Sequence, residues 1–354
     1  MKNQAQSRNK KVIKVGNIKI GGNNPVVIQS MTNTLTKDVQ KTVNQIKRLQ
    51  FSGCQLIRLA VVDKDSAKAI KNIKKLIKIP LVADIHFDYK LAIASIENGA
   101  DKIRINPGNI KNKTNLKKII KKAKEYKIPI RIGVNSGSLE TDILKKFGRP
   151  NAQALVHSIA ESINFFEKND FDQIVLSLKH SQVDQTIKAY EIAYRQFNYP
   201  LHLGVTEAGT LLNGTIKSAI AFGVLLNQKI GDTIRVSLSE DPVKEIEVAK
   251  KILGALNLRK DTPSIISCPT CGRCEIDVVG IAKRLEKKIK NLDKNIKIAV
   301  MGCLVNGPGE AKQAHIGVCG IDSNSNYVML FKKGRLLKKI KAEEIENEIL
   351  KEID

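Results

Sequence analysis

From Pro25 to about Ser237, short β-branched or apolar runs alternate with longer segments whose apolar residues recur at helical spacing. This pattern predicts repeated strand–helix units around a parallel sheet. Eight runs read as strands: PVVIQS from Pro25, QLIRLAV from Gln55, PLVADI from Pro80, KIRI from Lys102, PIRIGV from Pro129, QIVLSL from Gln173, PLHLGV from Pro200 and TIRVSL from Thr233. Eight is the number that closes an α/β (β/α)8 TIM barrel, and roughly 240 residues suit that fold. The helical segments run over Asp38 to Phe51, Asp65 to Ile77, Tyr89 to Asn98, Asn151 to Lys168, Val183 to Phe197, Gly214 to Leu226 and Pro242 to Leu256. Gly53, Gly99 and Gly231 fall just before strands, and Pro80, Pro129 and Pro200 lie at strand starts, where a missing N–H is tolerated. Met1 to about Gly22 is expected to be an extra hairpin closing the bottom of the barrel.

After about Arg259 the period changes. RKDTPS forms a polar joint, followed by SIISCPTCGRCEID, a helix from about Val278 to Lys290, a strand KIAVMG from Lys297 and the loop CLVNGPGE. Short strands near His315 to Val318 and Tyr327 to Phe331 and a helix from Ala342 to Lys351 complete a second, smaller α/β unit. The division expected is 1–259 for the barrel and 260–354 for the small domain.

Charge changes this picture little. The chain has 354 residues, 60 Lys and Arg against 35 Asp and Glu, and a net charge of +25. Clustered lysines raise the question of nucleic acid. Yet there is no Trp, aromatics are 4%, and the densest basic stretch, Lys111 to Lys127, carries Leu116, Ile119, Ile120 and Ala123 at helical spacing, the pattern of an amphipathic helix with one wet side. No nucleic-acid partner is expected; the charge suits an anionic substrate or an acidic protein. No apolar run approaches the about 18 residues of a membrane span, and the basic N-terminus has no apolar h-region, so a cytoplasmic protein without a membrane partner is expected.

The strand ends carry the chemistry, because the βα loops of such a barrel converge on one rim. Strand one ends in Gln29, Ser30 and Met31, and strand two carries Arg58. Strand three ends in Asp84 and His86, strand four offers Arg104 and Asn106, and strand five brings Arg131 and Asn135. Strand six brings Lys179, strand seven Glu207, and strand eight Arg235 and Ser237. Four arginines and a lysine at one mouth call for a substrate with several negative charges, such as a diphosphate. Some of these arginines could instead be salt-bridged residues of the barrel interior. Glu207, read as the lone carboxylate among cations, suits general acid work or a plain ion pair. The glycine-rich pieces GGNN, NPGN and RIGVNSGS could cradle phosphate or simply make tight turns.

Six cysteines are too few for a disulfide scaffold, and four of them, Cys268, Cys271, Cys274 and Cys303, lie close together in the sequence. CPTCGRC is a C-x2-C clip that can grip one iron or zinc, and Cys303 follows in MGCLVNGPGE. A structural zinc could use all four thiolates. A single Cys in a Gly/Pro loop ending in Glu310 favours instead three thiolates and one weaker oxygen ligand, which leaves one iron of a 4Fe-4S cluster exchangeable. Cys54 and Cys319 read as small buried residues.

The segments VVIQSMTNT, VADIHF, IRINPGNI, RIGVNSGSLE, GVTEAG, GDTIRVSLSEDP, SCPTCGR and MGCLVNGPGE resemble the bacterial 4-hydroxy-3-methylbut-2-enyl diphosphate synthase family of the non-mevalonate isoprenoid pathway, over nearly the whole chain. The resemblance implies a substrate-binding TIM barrel followed by a 4Fe-4S cluster domain, without an extra central domain. It implies an iron-sulfur oxidoreductase that reductively opens the ring of 2-C-methyl-D-erythritol 2,4-cyclodiphosphate to 4-hydroxy-3-methylbut-2-enyl diphosphate, with electrons from ferredoxin or flavodoxin. By the same resemblance Cys268, Cys271, Cys303 and Glu310 are the cluster ligands, and Arg58, Arg104, Arg131, Lys179, Arg235, Asn135 and Ser237 hold the cyclic diphosphate. Asp84 and His86 share that rim, and Glu207 protonates the leaving hydroxyl. A head-to-tail homodimer, in which one chain's cluster caps the other's barrel, is also implied. Cys274 departs from the family pattern as a possible alternative ligand. Two other readings stay open from the residues alone: a zinc-stabilised basic protein on RNA, and a barrel enzyme for phosphorylated sugars with a structural metal domain.

Overall fold

The computed structural model describes residues 10–110, 112–290, 292, 294–321 and 326–353. Residues 1–9 of the expected N-terminal hairpin and Lys111 of the basic stretch lie outside the described residues. The chain divides into two units, Met1–Ile252 and Leu253–Asp354.

The first unit begins with β1 (Ile13–Val15) and β2 (Ile18–Ile20), followed by β3 (Val27–Met31), α1 (Val39–Phe51), β4 (Leu56–Ala60), α2 (Lys64–Leu76), β5 (Leu81–Ile85), α3 (Tyr89–Glu97), β6 (Lys102–Ile105) and α4 (Lys113–Tyr126). It continues through β7 (Ile130–Asn135), α5 (Thr141–Phe147), α6 (Ala152–Glu167), β8 (Ile174–Lys179), α7 (Val183–Gln196), β9 (His202–Leu203), α8 (Leu211–Asn227), β10 (Thr233–Ile234) and α9 (Pro242–Ala255). Side-chain caps start the helices where the sequence supplies them. Asp38 accepts from the Lys41 N–H, Asp63 from Ser66, Asn112 from Thr114 and Asn151 from Ala154, each satisfying an amide the helix leaves unpaired.

β3 to β10 pair in parallel, in the order β8-β7-β6-β5-β4-β3-β10-β9, and a bridge between Leu176 and Leu201 brings β8 back to β9. The result is the expected (β/α)8 barrel. The hairpin β1–β2 seals its lower end: Ile13, Val15 and Ile20 pack on Val27, Leu56, Val82 and Val175, which point into the barrel floor. β9 and β10 are shorter than PLHLGV and TIRVSL suggest. Past Leu203 and Ile234 the backbone leaves the ladder to form mouth loops, held by isolated bonds such as Arg235 N–H to the Leu203 carbonyl at 3.0 Å.

The second unit is a sheet of β11 (Ser264–Ser267), β12 (Lys297–Met301), β13 (Ile316–Gly320), β14 (Tyr327–Lys332) and β15 (Arg335–Lys341), in that order, with β11 to β13 parallel and the rest antiparallel. Helices α10 (Val278–Ile289) and α12 (Ile345–Ile353) bury Ile281, Leu285, Ile345 and Ile349 against Val300, Val318 and Leu330. Helix α11 (Gly307–Gln313) packs Ala311 with Ala299, Met301 and Phe331. The structure adds one element here and corrects one expectation. SIIS is a strand, because its register puts Ile265 and Ile266 beside Ile298 and Ala299. CLVNGPGE is a loop only as far as Asn306: Pro308, with its preset φ and missing N–H, sits in the first turn of α11.

Candidate functional site

The carboxyl ends of the barrel strands surround a cavity of about 110 Å³ lined by Arg58, Asp84, His86, Arg104, Arg131, Asn135, Ser177, Lys179, Thr206, Arg235 and Ser237. All nine residues assigned to the substrate from the sequence meet here. Ser177 and Thr206 are additions: Ser177 stands two residues before Lys179 on β8, so period-two alternation points both inward. A wider hollow between α6 and α7, lined by residues such as Gln153 and Lys188, contains none of the assigned side chains.

The sheet brings these charges together. The register sets Arg58 beside Val82, Asp84 beside Arg104, and Arg104 beside Arg131. Asp84 lies 3.1 Å from Arg104 Nη1 and 3.7 Å from Arg58 Nε, so one carboxylate serves two guanidiniums. Arg131 reaches across the barrel, donating from Nη1 to Gln29 Oε1 on the opposite strand β3 at 3.3 Å. Lys179 passes over the β9 backbone, where a Cβ on Gly204 would lie 2.6 Å from its Nζ; only glycine leaves room for that approach. Arg235 donates to the Glu245 carboxylate from Nε and Nη2, at 3.4 and 3.1 Å. Five cations thus share two carboxylates, Asp84 and Glu245, and among the described residues no carboxylate pairs with Arg131 or Lys179.

Burial and mutual repulsion act on every group. Burial pushes the Arg58 guanidinium down to about 10, with Asp84 opposing and Arg235 and Arg104 adding to the shift. Lys179 is depressed well below the usual lysine value, first by burial, then by Arg58, Arg131, Arg235 and Arg104. Burial alone would raise Asp84, but Arg58, His86, Arg104 and Arg131 hold it well below the carboxylate range. An anion entering this mouth relieves repulsion rather than creating it. His86 is the half-exposed member, with Nε2 at 3.2 Å from Arg104 Nη1 and 3.6 Å from Asp84.

Glu207 is placed differently from the sequence expectation of a lone carboxylate among the cations. Asp84 and Glu245 occupy that position, because β5 and α9 bring them under the mouth. Glu207 stands exposed on the loop after β9, next to cavity-lining Thr206, with a left-handed backbone of φ 52°. Such a conformation costs a non-glycine residue roughly 1–2 kcal/mol.

In the second unit Cys268 follows β11 directly and Cys303 follows β12 by two residues, so adjacent carboxyl ends of parallel strands present both. The Gly302 N–H donates to Cys268 Sγ at 3.3 Å. A Cβ on Gly302 would lie 2.5 Å from the Cys274 sulfur and 3.2 Å from that of Cys268, so this glycine keeps clear the space the two thiols flank. Cys271 is exposed, and Cys268, Cys274 and Cys303 are partly so; all are free thiols. Glu310 lies in the first turn of α11. Buried Cys319 donates from its thiol to the Cys303 carbonyl at 3.0 Å, fixing that loop from below. Free, reachable thiols on two adjoining loops, with a backbone N–H turned toward sulfur, fit an iron-sulfur group. Among the described residues, no three His, Cys, Asp or Glu side chains already stand close enough to hold a single ion.

Comparison with known proteins agrees with both units. Residues 10–250 match the GcpE TIM-barrel domain and residues 264–354 the GcpE protein C-terminal domain. A protein of Caldanaerobacter subterraneus subsp. tengcongensis named 4-hydroxy-3-methylbut-2-en-1-yl diphosphate synthase (flavodoxin) is 58% identical over 342 residues, covering 97% of this chain and 96% of its own. One of the same name from Caldicellulosiruptor saccharolyticus is 56% identical over 344 residues, covering 97% and 98%. Among solved structures, dihydropteroate synthase from Xanthomonas albilineans is 12% identical and covers 70% of this chain and 98% of its own with a TM-score of 0.50, a likeness of fold alone. On these matches, spanning barrel and C-terminal unit alike, the chain belongs to the GcpE family.

Proposed function

We propose that this protein is the iron-sulfur oxidoreductase that opens 2-C-methyl-D-erythritol 2,4-cyclodiphosphate reductively to 4-hydroxy-3-methylbut-2-enyl diphosphate, with flavodoxin as electron donor. The observation that carries the reading is the convergence of Arg58, Arg104, Arg131, Lys179 and Arg235 on one buried mouth with only two carboxylates between them. Residues 1–259 bind the substrate and residues 260–354 hold a 4Fe-4S cluster through Cys268, Cys271, Cys303 and the weaker oxygen ligand Glu310. The cluster, when bound, supplies two electrons in single steps.

The chain's own residues do the rest. Arg131 and Lys179, which have no carboxylate partner, take the diphosphate oxygens first, and Arg58, Arg104 and Arg235 add donors from the sides. Asn135 and Ser237 fix the register with neutral hydrogen bonds, while Asp84 and His86 set the orientation of Arg104 and Arg58. As the ring C–O bond breaks, negative charge grows on the freed diphosphate oxygen, and the preset guanidiniums stabilise it without rearranging. Glu207 gives its proton to the hydroxyl that leaves as water.

The protein works in the cytoplasm as a homodimer in this reading. Among the described residues no helix is long and apolar enough to cross a membrane. α8 carries an exposed stripe of Leu212, Ile216, Ile220 and Val224 at four-residue spacing, a surface that supports self-association. Anaerobically prepared protein, given reduced flavodoxin and the cyclic diphosphate, is expected to release the linear diphosphate. A colourless, iron-free protein, or iron-loaded protein that yields no product, contradicts the proposal.

A further inference from the structure

We infer that Glu245 is a positioning residue that locks the seam of the barrel between its first and last strands and thereby presents Arg235 to the diphosphate. The inference rests on the reading of the mouth as the diphosphate site.

The seam is weak as a sheet. β3 and β10 pair over only two positions, Val27 with Thr233 and Ile28 with Ile234. Above them the ladder ends, although the residues proposed to touch substrate, Arg235 and Ser237, come next. Glu245 fills this gap from the first turn of α9, with only 2% of its surface exposed. Oε2 accepts from Ser30 Oγ at 2.9 Å, and Oε1 accepts from the Leu238 N–H at 3.2 Å. The same two oxygens receive Arg235 through Nε and Nη2. One carboxylate therefore ties the upper end of β3, the loop following β10 and the guanidinium that loop carries.

Without this carboxylate Arg235 would feel mainly other cations, since its charge already depresses Arg58 and Lys179. Repulsion in a buried mouth would turn a flexible arginine outward. With Nε and Nη2 occupied by Glu245, Nη1 remains to donate to a phosphate oxygen. The charge of Arg235 is partly offset, but its place is fixed before substrate arrives, which lowers the ordering cost of binding. The Leu238 bond does the same for the backbone around Ser237.

The test is the affinity of the iron-loaded enzyme for the cyclic diphosphate, measured by titration calorimetry for E245A, E245Q, R235A and the double variant E245A/R235A. E245A and R235A are each expected to weaken binding about 10- to 30-fold, and the double variant no more than R235A alone, because each change disables the same donor. In steady state E245A should raise KM with little loss of kcat. E245Q, which keeps an acceptor for Ser30 or Leu238 but loses the charge, should fall between wild type and E245A; it also carries the test if E245A does not fold. Weakened binding in R235A with normal binding in E245A or E245Q, or losses that multiply in the double variant, overturns the role of Glu245 alone. Normal binding in R235A overturns the reading of the mouth itself, and the role of Glu245 with it.

Discussion

At the barrel mouth, Arg58, Arg104 and Arg131 are buried, rooted in sheet strands and tied to Asp84 or Gln29; at the cysteine loops of the second unit, Cys271 is exposed and its companions are half-covered. The first region is organised before any ligand arrives, because charges taken out of water must find partners as the chain folds. The second needs no such prior order. A neutral thiol costs little on a loop, and a metal group that bonds several thiolates at once supplies the energy to gather them. In the proposed function the contrast gives specificity for the anion to the barrel and adaptability to the cysteine loops.

Four changes break or sharpen this contrast. The largest effect is expected from Cys303→Ser, which should strip most of the iron and lower turnover at least about 1,000-fold, while calorimetry shows the cyclic diphosphate still binding the barrel. Loss of diphosphate binding in that variant would mean the two regions are not separable. Lys179→Met is expected to weaken the cyclic diphosphate about 100-fold. Its depressed pKa also sets a sign: a bound anion raises that pKa again, so at pH values between the free and bound values binding takes up a proton and tightens as pH falls. Calorimetry in buffers of different ionisation enthalpy reads that uptake, which Lys179→Met should abolish. Glu207→Gln should keep both the cluster and substrate affinity and reduce kcat about 100-fold, the usual worth of a placed acid.

The smallest change concerns stability. Lys102 is fully buried, its Nζ has no hydrogen-bond partner among the described residues, and burial followed by Arg131 and Arg58 holds its pKa well below the lysine value. The unfolded chain therefore binds a proton that the folded chain does not, across the window from the depressed value up to 10.5, and stability rises with pH there. Lys102→Met should raise stability by about 1–3 kcal/mol at neutral pH, with the gain shrinking as pH approaches 10.5. Denaturant melts at two pH values measure it. A gain independent of pH would mean that Lys102 keeps its proton in the barrel.

Much of the mouth is legible in the sequence because strand ends are legible. The alternation that marks β4 to β8 also says which residues face inward, and Arg58, Asp84, Arg104, Arg131 and Lys179 follow from it. Glu245 does not, since it reaches the mouth from a helix, where the period speaks of packing against the sheet and not of the strand ends beneath. Its cue was local: an acidic residue in the first turn of α9, just after the loop that carries Arg235 and Ser237. Helix α11 was hidden by its own glycines, although Pro308 near its start is an ordinary helix-opening signal. The cysteine motif suggests thiolate ligation but does not say how the loops stand, because in the proposed function their arrangement depends on the group they would hold. Cys274 is the clearest instance. It flanks Gly302 with Cys268, yet its Sγ already donates to the Ile276 carbonyl at 3.2 Å, and Cys274→Ser is expected to retain both iron and turnover. Loss of iron there would move the fourth ligand from Glu310 to Cys274.

The account depends most on the substrate's meeting an iron-sulfur group whose coordination by three thiolates leaves room for it. Electron paramagnetic resonance of the dithionite-reduced protein, recorded with and without the cyclic diphosphate, tests this most directly. The account predicts an iron-sulfur signal that shifts on addition of the diphosphate in wild type and stays unshifted in Lys179→Met at the same concentration. A wild-type signal indifferent to saturating cyclic diphosphate would contradict it.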